Sequence, residues 1–327
     1  MLSGCKRNSN DALLSFSIEK IDKIETITLT ELGFRDIEYI PLETTELCLF
    51  PRKLNYDYLW DKIITQNDDY IFKQNVVYKF RSDGSFVSMV GQTGRGPDEF
   101  QTCHDVGADE NTGEIFIVDG WKKKLFIYRN DGTLKKSISF PFTGFGQFLY
   151  KDGKFLCYFL NNMGNIENSF LLIDTTGRIL KSYPNKYPIP QVKYPGFSYH
   201  YETLLYKFGD GIFSKVVYSD TIFSLEDNNS FKPHLLIKAG EKSINVNDRI
   251  NMSMQELLQK FLTPSKLFEF GNYLYYEFWD DYIISPGDFS FKPYVLIGSK
   301  KDGSQIIINA EKGILNDLDG GPSIKPI

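Results

Sequence analysis

Residues 69–91 read DYIFKQNVVYKFRSDGSFVSMVG, and residues 114–138 read EIFIVDGWKKKLFIYRNDGTLKKSI. In each, an apolar strand leads through a polar tip to a second strand. An Asp-Gly pair and a third strand follow. An Asp-Gly pair between two apolar runs predicts a tight hairpin, because glycine accepts φ > 0 at no steric cost. Related pairs recur along the chain as Asp83-Gly84, Asp131-Gly132, Thr176-Gly177 and Asp302-Gly303, with a weaker turn at Asp227-Asn228-Asn229. Gly84 and Gly132 are 48 residues apart, Gly132 and Gly177 are 45 apart, and Asn228 lies 51 beyond Gly177. The step from Asn228 to Gly303 is 75 residues. That excess coincides with residues 247–262, NDRINMSMQELLQKFL, where Ile250, Met254, Leu257, Leu258 and Phe261 have helical spacing and Pro264 ends the run.

A period of 45–50 residues, each unit a set of short strands with one tight hairpin, is that of a β-propeller blade. A jelly roll or sandwich predicts no such period. Five units are read at 55–100, 101–143, 144–190, 197–242 and 265–310. A sixth is expected from IETITLTE and RDIEYIPLET near the N-terminus, closed by the C-terminal tail. The expectation is an all-β, six-bladed β-propeller over residues 19–327, with one short helical insertion between the fourth and fifth blades.

This periodicity places the segment GQTGRGPDEF at 91–100. It follows the last strand of one unit, near Val87–Val90, and precedes the first strand of the next, near Val106–Ala108. Gly91, Gly94 and Gly96 permit a sharp backbone path, Pro97 fixes φ, and Glu99 completes the structural loop. Arg95 is a binding candidate that can reach a carboxylate-lined pocket or a neighbouring blade. A phosphate-binding loop requires a following helix, and FQTCHDVGAD offers none.

Residues 79–138 resemble the NHL-type propeller repeat. The chain as a whole resembles a large family of six-bladed propellers from bacterial envelopes. The resemblance rests on Ile40-Pro-Leu-Glu-Thr-Thr45, the G-R-G-P-x-E-F loop, SDTIFSL at 219–225 followed by LLIKAG at 235–240, and NDLDGG at 316–321. The family's loop usually reads GRGPGEY, whereas Asp98 and Phe100 stand here. Lipid-attachment signals are common in that family, so the resemblance implies an envelope lipoprotein. Leu2-Ser3-Gly4-Cys5 is similar to a lipobox, with Cys5 the residue to be lipidated and residues 1–18 a polar tether.

The net charge of −5 argues against nucleic acid as a partner. Lys122-Lys123-Lys124 reads as a solvated turn tip. No run of eighteen apolar residues is present, so membrane contact is expected only through the lipid anchor. Cys48, Cys103 and Cys157 are an odd number without zinc spacing, and Cys157 reads as a buried thiol.

Candidate chemistry is sparse. His104 with Asp105, and His200, are the catalytic candidates, because a propeller lyase or hydrolase needs a histidine with a carboxylate partner. Their plainer reading is as polar groups satisfied at a crossover. Asp317 and Asp319 are candidate ligands for a divalent cation, although a glycine-rich turn accounts for them equally. No other cofactor is expected. Binding candidates are Asp119 and Trp121 at the polar tip of the second unit, and Trp279 and Asp280 at a strand end. Aromatics are 15% of the chain, but alternation assigns Phe268, Phe270, Tyr273 and Tyr275 to packing between blades. The reading that follows is a monomeric, lipid-anchored propeller of the cell envelope, periplasmic or surface-exposed. It would bind a protein, peptide or glycan at the mouth of the channel. A metal-dependent hydrolase or lyase and a glycan-binding surface protein are the alternatives.

Overall fold

A computed structural model describes residues 13–49, 62–66, 69–73, 76–139, 145–161, 164–189, 202–285 and 288–326. Among the described residues the fold is an all-β propeller with five blades, each built on four antiparallel strands. The chain forms two compact units, divided at residues 27/28, 198/199 and 313/314.

The first strand, β1 (Ser15–Ser17), belongs to the unit that carries the last two blades. The other unit carries three blades. They comprise β2 (Lys62–Gln66), β3 (Asp69–Lys73), β4 (Val77–Phe80) and β5 (Phe86–Met89); β6 (Asp105–Ala108), β7 (Ile115–Asp119), β8 (Lys124–Tyr128) and β9 (Leu134–Ser139); and β10 (Phe145–Lys151), β11 (Lys154–Phe159), β12 (Asn168–Asp174) and β13 (Ile179–Pro184). The fourth blade is β14 (Thr203–Phe208), β15 (Gly211–Val216), β16 (Thr221–Leu225) and β17 (Phe231–Lys238). The fifth is β18 (Thr263–Phe270), β19 (Tyr273–Ser285), β20 (Asp288–Ser299) and β21 (Gln305–Asn309).

Burial follows strand position. In the second blade, β7 is buried along its whole length, and β8 along all but its first residue. The fourth strands β5 and β13 alternate or are mostly exposed. A strand apolar on both faces is one covered on both faces, as the middle of a blade is. First strands pack together: β6 lies against β2 and β10, and β14 against β18.

The turn between third and fourth strands repeats at atomic detail. Asp83 Oδ1 accepts from the Ser85 amide at 2.9 Å and its hydroxyl at 2.6 Å. Asp131 does the same with Thr133, Asn228 with Ser230, and Asp302 with Ser304. The repeating element is therefore an Asx turn, Asp/Asn followed two residues later by Ser/Thr. Gly84, Gly132 and Gly303 supply the positive φ between them.

Among the described residues the expected sixth blade does not form. IETITLTE contains Thr28-x-x-Glu31, and this is a turn. The Glu31 carboxylate accepts from the Thr28 amide at 2.8 Å, the Thr28 hydroxyl accepts from the Glu31 amide at 3.2 Å, and Gly33 closes the turn at φ 89°. A reciprocal cap of this kind outcompetes strand pairing. RDIEYIPLET makes no strand either. Its IPLET portion docks on the first blade, where the Glu43 amide donates to Gly84 O at 2.9 Å and the Glu43 carboxylate accepts from Phe86 N at 2.9 Å. Leu42 and Cys48 cover Tyr78 and Phe80 there.

The N-terminal segment instead straps existing blades. β1 pairs in parallel with β17 as a fifth strand, although residues 1–18 read as a tether. Phe16, 1% exposed, lies on the bare α-carbon of Gly298 in β20. Glu25 then bridges Ile308 in parallel, and in the other unit Thr28 bridges Leu315. The C-terminal tail adds a bridge between Ile314 and Ile324.

The insertion between the fourth and fifth blades is helical, but it is broken in two. Asn245 and Asp248 form one capping box and Ser253 and Glu256 a second, so α1 (Val246–Asn251) ends before α2 (Met254–Lys260) begins. Pro264 falls inside β18.

Candidate functional site

The glycine-rich segment connects β5 to β6, from a fourth strand to the next first strand. Its shape comes from internal contacts. The Glu99 carboxylate accepts from the Gly96 amide at 2.8 Å and sits where a β-carbon on Gly94 would lie, 1.9 Å from Oε2. The Gly94 amide donates to Phe100 O at 2.9 Å, and the Phe100 amide to Gln92 O at 3.0 Å, which sinks the Phe100 ring into the core. Gly91 adopts φ 72° against the hydroxyl of Tyr128.

The lysine triplet holds this segment down, where a solvated tip was expected. Lys122 Nζ donates to Gly96 O at 2.7 Å and also to Glu99 O, and Lys124 Nζ reaches Pro97 O at 3.5 Å. Lys123 takes the left-handed conformation at φ 54° that turns the chain between them.

Asp119, at the end of β7, fastens the turn and the segment together. The residue is fully buried. Oδ2 accepts from the Gln101 amide at 2.6 Å, and Oδ1 accepts from the amides of Trp121 at 2.9 Å and Lys122 at 3.0 Å, with the Thr102 hydroxyl at 3.4 Å. Two residues along, Trp121 is 74% exposed. A buried carboxylate thus fixes the backbone that presents the most exposed large apolar side chain among the described residues.

His104 lies half-buried beside them. Its Nδ1 accepts from the Gly120 amide at 3.1 Å and lies 2.9 Å from Thr102 Oγ1. Acceptance from a fixed amide puts the proton of the neutral ring on Nε2. The ring rests against Gly120, whose missing β-carbon would lie 3.2 Å from it. Asp105, paired with His104 in the sequence reading, turns away from it. It is 6% exposed and joins three first strands: Oδ1 accepts from Lys62 Nζ at 2.8 Å and from the Val106 amide at 2.8 Å, and Oδ2 from the Phe148 amide at 2.9 Å. His104 and Asp105 therefore make no acid–base pair. Lys62 also lies 5.6 Å from the centre of the Phe148 ring and was not legible as a partner, because strand register brings it there.

Arg95 is exposed on the same segment. Trp279 is partly buried in a cluster with Phe291 at 4.8 Å and Tyr282 at 5.4 Å, and Asp280 is paired with Lys242 at 2.7 Å. Asp317 caps Thr30 with a 3.1 Å bond, and Asp319 accepts from Gly321 N at 2.8 Å and Asn316 Nδ2 at 2.6 Å. Burial opposes ionisation of Asp317, but bonds from Thr30 and Thr28 prevail, and its carboxyl stays below the usual range. Gly321, Asn316 and Tyr39 hold Asp319 low in the same way. Among the described residues no three His, Cys, Asp or Glu side chains come together to hold a metal ion. Cys5 and His200 lie outside the described residues. Cys48, Cys103 and Cys157 are buried free thiols, and burial with the nearby Asp105 pushes Cys157 far up.

The third histidine belongs to a second polar cluster, in the other unit. Glu269, whose side chain has no exposure, accepts from Tyr206 Oη at 2.7 Å, lies 2.9 Å from His234 Nε2, and pairs with Lys300 at 2.6 Å. Lys300 also lies 3.8 Å above the Phe208 ring.

The fold is similar to that of solved Bacteroides proteins. A Bacteroides fragilis protein described as exported shares 16% identity and a TM-score of 0.66, covering 92% of this chain and 81% of its own. A Bacteroides vulgatus member of the DUF4221 family shares 12% identity and a TM-score of 0.53, over 76% of this chain and 81% of its own. No curated protein matches the chain. The model of the DUF4934 family, a domain of unknown function, matches residues 14–327, and the chain belongs to that family.

Proposed function

We propose that this chain is an exported, envelope-associated binding protein that captures a protein, peptide or glycan partner at the loop end of its second blade. Trp121 is the anchor, with His104 and Arg95 on the connector beside it. The carrying observation is the pairing of an exposed indole with a fully buried carboxylate two residues away. Rigid, exposed aromatics beside polar groups are typical anchors of recognition, because little side-chain entropy is lost on contact. Export is supported by the description of the Bacteroides fragilis relative and by the lipobox-like Leu2–Cys5. Lipid attachment at Cys5 would hold the propeller at a membrane surface, with residues 6–12 as tether. A binding role is preferred to catalysis because His104, the one histidine at this end among the described residues, has its Nδ1 lone pair engaged by the Gly120 amide.

A photo-reactive amino acid placed at position 121, and separately at the exposed position 110 at the other end of β7, tests this in cells. The expected result is a discrete adduct from position 121 alone, with the purified partner binding the Trp121→Ala protein at least about tenfold more weakly. Equal adducts from both positions, or unchanged affinity, would remove the proposal.

A further inference from the structure

At the opposite end of β7 from Trp121, the first two blades enclose an open cleft of about 560 Å³. Seven of its ten lining residues are charged, and their pairing is uneven. Lys79, 2% exposed, is engaged by Asp69 at 2.9 Å and by Asn130. Lys135 pairs with Glu114. The Asp131 carboxylate is used by its own Asx turn, accepting from the amide and hydroxyl of Thr133. The acids lining the cleft are thus committed to local partners.

Two guanidiniums remain. Arg81 and Arg129 occupy the same place in successive blades, each two residues before the Asp of its turn, in R-S-D-G-S and R-N-D-G-T. Their backbones are fixed alike, by Arg81 N to Ser85 O and Arg129 N to Thr133 O, each at 2.8–2.9 Å. Arg129 Nη1 donates to Thr133 Oγ1 and Leu134 O, which orients the guanidinium and leaves its other donors open. Arg81 makes no side-chain hydrogen bond or ion pair among the described residues. Two planar forks with open donors, backed by a buried ammonium, suit a planar or tetrahedral oxyanion.

We infer that this cleft binds the oxyanion group of an acidic ligand, held between Arg81 and Arg129. The shared chemistry is a carboxylate, sulfate or phosphate, and the geometry of the forks favours two-point contact over a point charge. The site is separate from the Trp121 surface, so either assignment can fail alone.

The test is calorimetric titration of the intact protein, at low ionic strength because exposed ion pairs are screened by salt. The probes are succinate, inorganic sulfate and inorganic phosphate. At least one should bind saturably, and which one does separates carboxylate from sulfate and phosphate sources. Arg81→Ala and Arg129→Ala should each weaken that probe at least about tenfold, and Arg81→Lys should also weaken it, because the ammonium keeps the charge but loses the fork. Arg178→Ala, at the equivalent turn of the third blade, should change nothing. Thermal melts identify any variant that has lost its fold, in which case Arg81→Lys carries the comparison. Absence of saturable binding by all three probes, or equal losses in Arg178→Ala, would overturn the inference.

Discussion

The Asp119 carboxylate accepts a hydrogen bond of 2.6 Å from the backbone amide of Gln101, eighteen residues earlier in the chain. This bond joins the connector between the first and second blades to the turn that follows β7. It makes one rigid surface from two segments that would otherwise move independently.

Asp119→Ala should therefore destabilise the protein and loosen Trp121. The substitution strands the amides of Gln101, Trp121 and Lys122, and an unsatisfied buried donor costs about 1–3 kcal/mol. Water will reach some of them, so a loss of ~2–4 kcal/mol is expected in denaturant unfolding. Trp121→Ala, removing an exposed ring, should change stability by less than ~0.5 kcal/mol. If the two variants unfold alike, Asp119 is not the clamp.

The connector's glycines are required at specific atoms. Gly94→Ala would put a methyl group 1.9 Å from Glu99 Oε2, which must then leave the Gly96 amide. A cost of ~1–2 kcal/mol follows from the lost charge-assisted bond. Combining it with Glu99→Ala should recover most of the steric part, so the double variant would be no less stable than Glu99→Ala alone. Full additivity in a double-mutant cycle would contradict the contact.

Acid should weaken the other unit through Glu269. Burial by itself would raise its carboxyl, but bonds from His234, Lys300 and Tyr206 overcome this and hold it at about 2, against 4.5 ordinarily. A carboxyl lowered in the folded state stabilises fully above about 4.5 and progressively less as pH falls toward 2. The span corresponds to ~3 kcal/mol at most. Glu269→Gln should flatten unfolding free energy between these pH values, and an unchanged profile would show that the cluster contributes nothing.

Lys215 predicts a second rise of stability with pH, in the alkaline range. Burial lowers its ammonium to about 8 from 10.5, partly opposed by Asp220. Between those values the unfolded chain holds a proton that the folded chain has released, so stability rises with pH across the window. Lys215→Met should remove this rise and leave stability at pH 7 no lower than in the wild type, because the buried charge is costly there. A pronounced loss at pH 7 would mean that the bond from Lys215 Nζ to Ser219 O, 2.9 Å long, outweighs the desolvation.

What the sequence made legible was local and repeated. Turn signals at a regular period, three of them Asp-Gly, located all five described blades and the connector between the first two, since turn chemistry is decided within a few residues. The failures share a cause as well. Thr28 and Glu31 read as part of a sixth blade because strand pattern alone ignores a reciprocal cap. The same oversight fused α1 and α2 across Ser253. Asp119 read as a binding candidate because its burial depends on Gln101 and Thr102, which only the fold brings to it. Lys122 read as solvated for the same reason. The cleft was invisible because Arg81 and Arg129 are 48 residues apart and become neighbours only when two blades stack.

Amide hydrogen exchange on the free wild-type protein tests the locked connector most directly. Gly94, Gly96, Phe100 and Gln101 donate to Phe100 O, Glu99, Gln92 O and Asp119 within an exposed loop. All four should exchange far more slowly than unstructured amides, with Gln101 accelerating selectively in Asp119→Ala. Exchange of these four at unprotected rates in the wild type would show a loose connector, and the preorganised Trp121 surface would be lost with it.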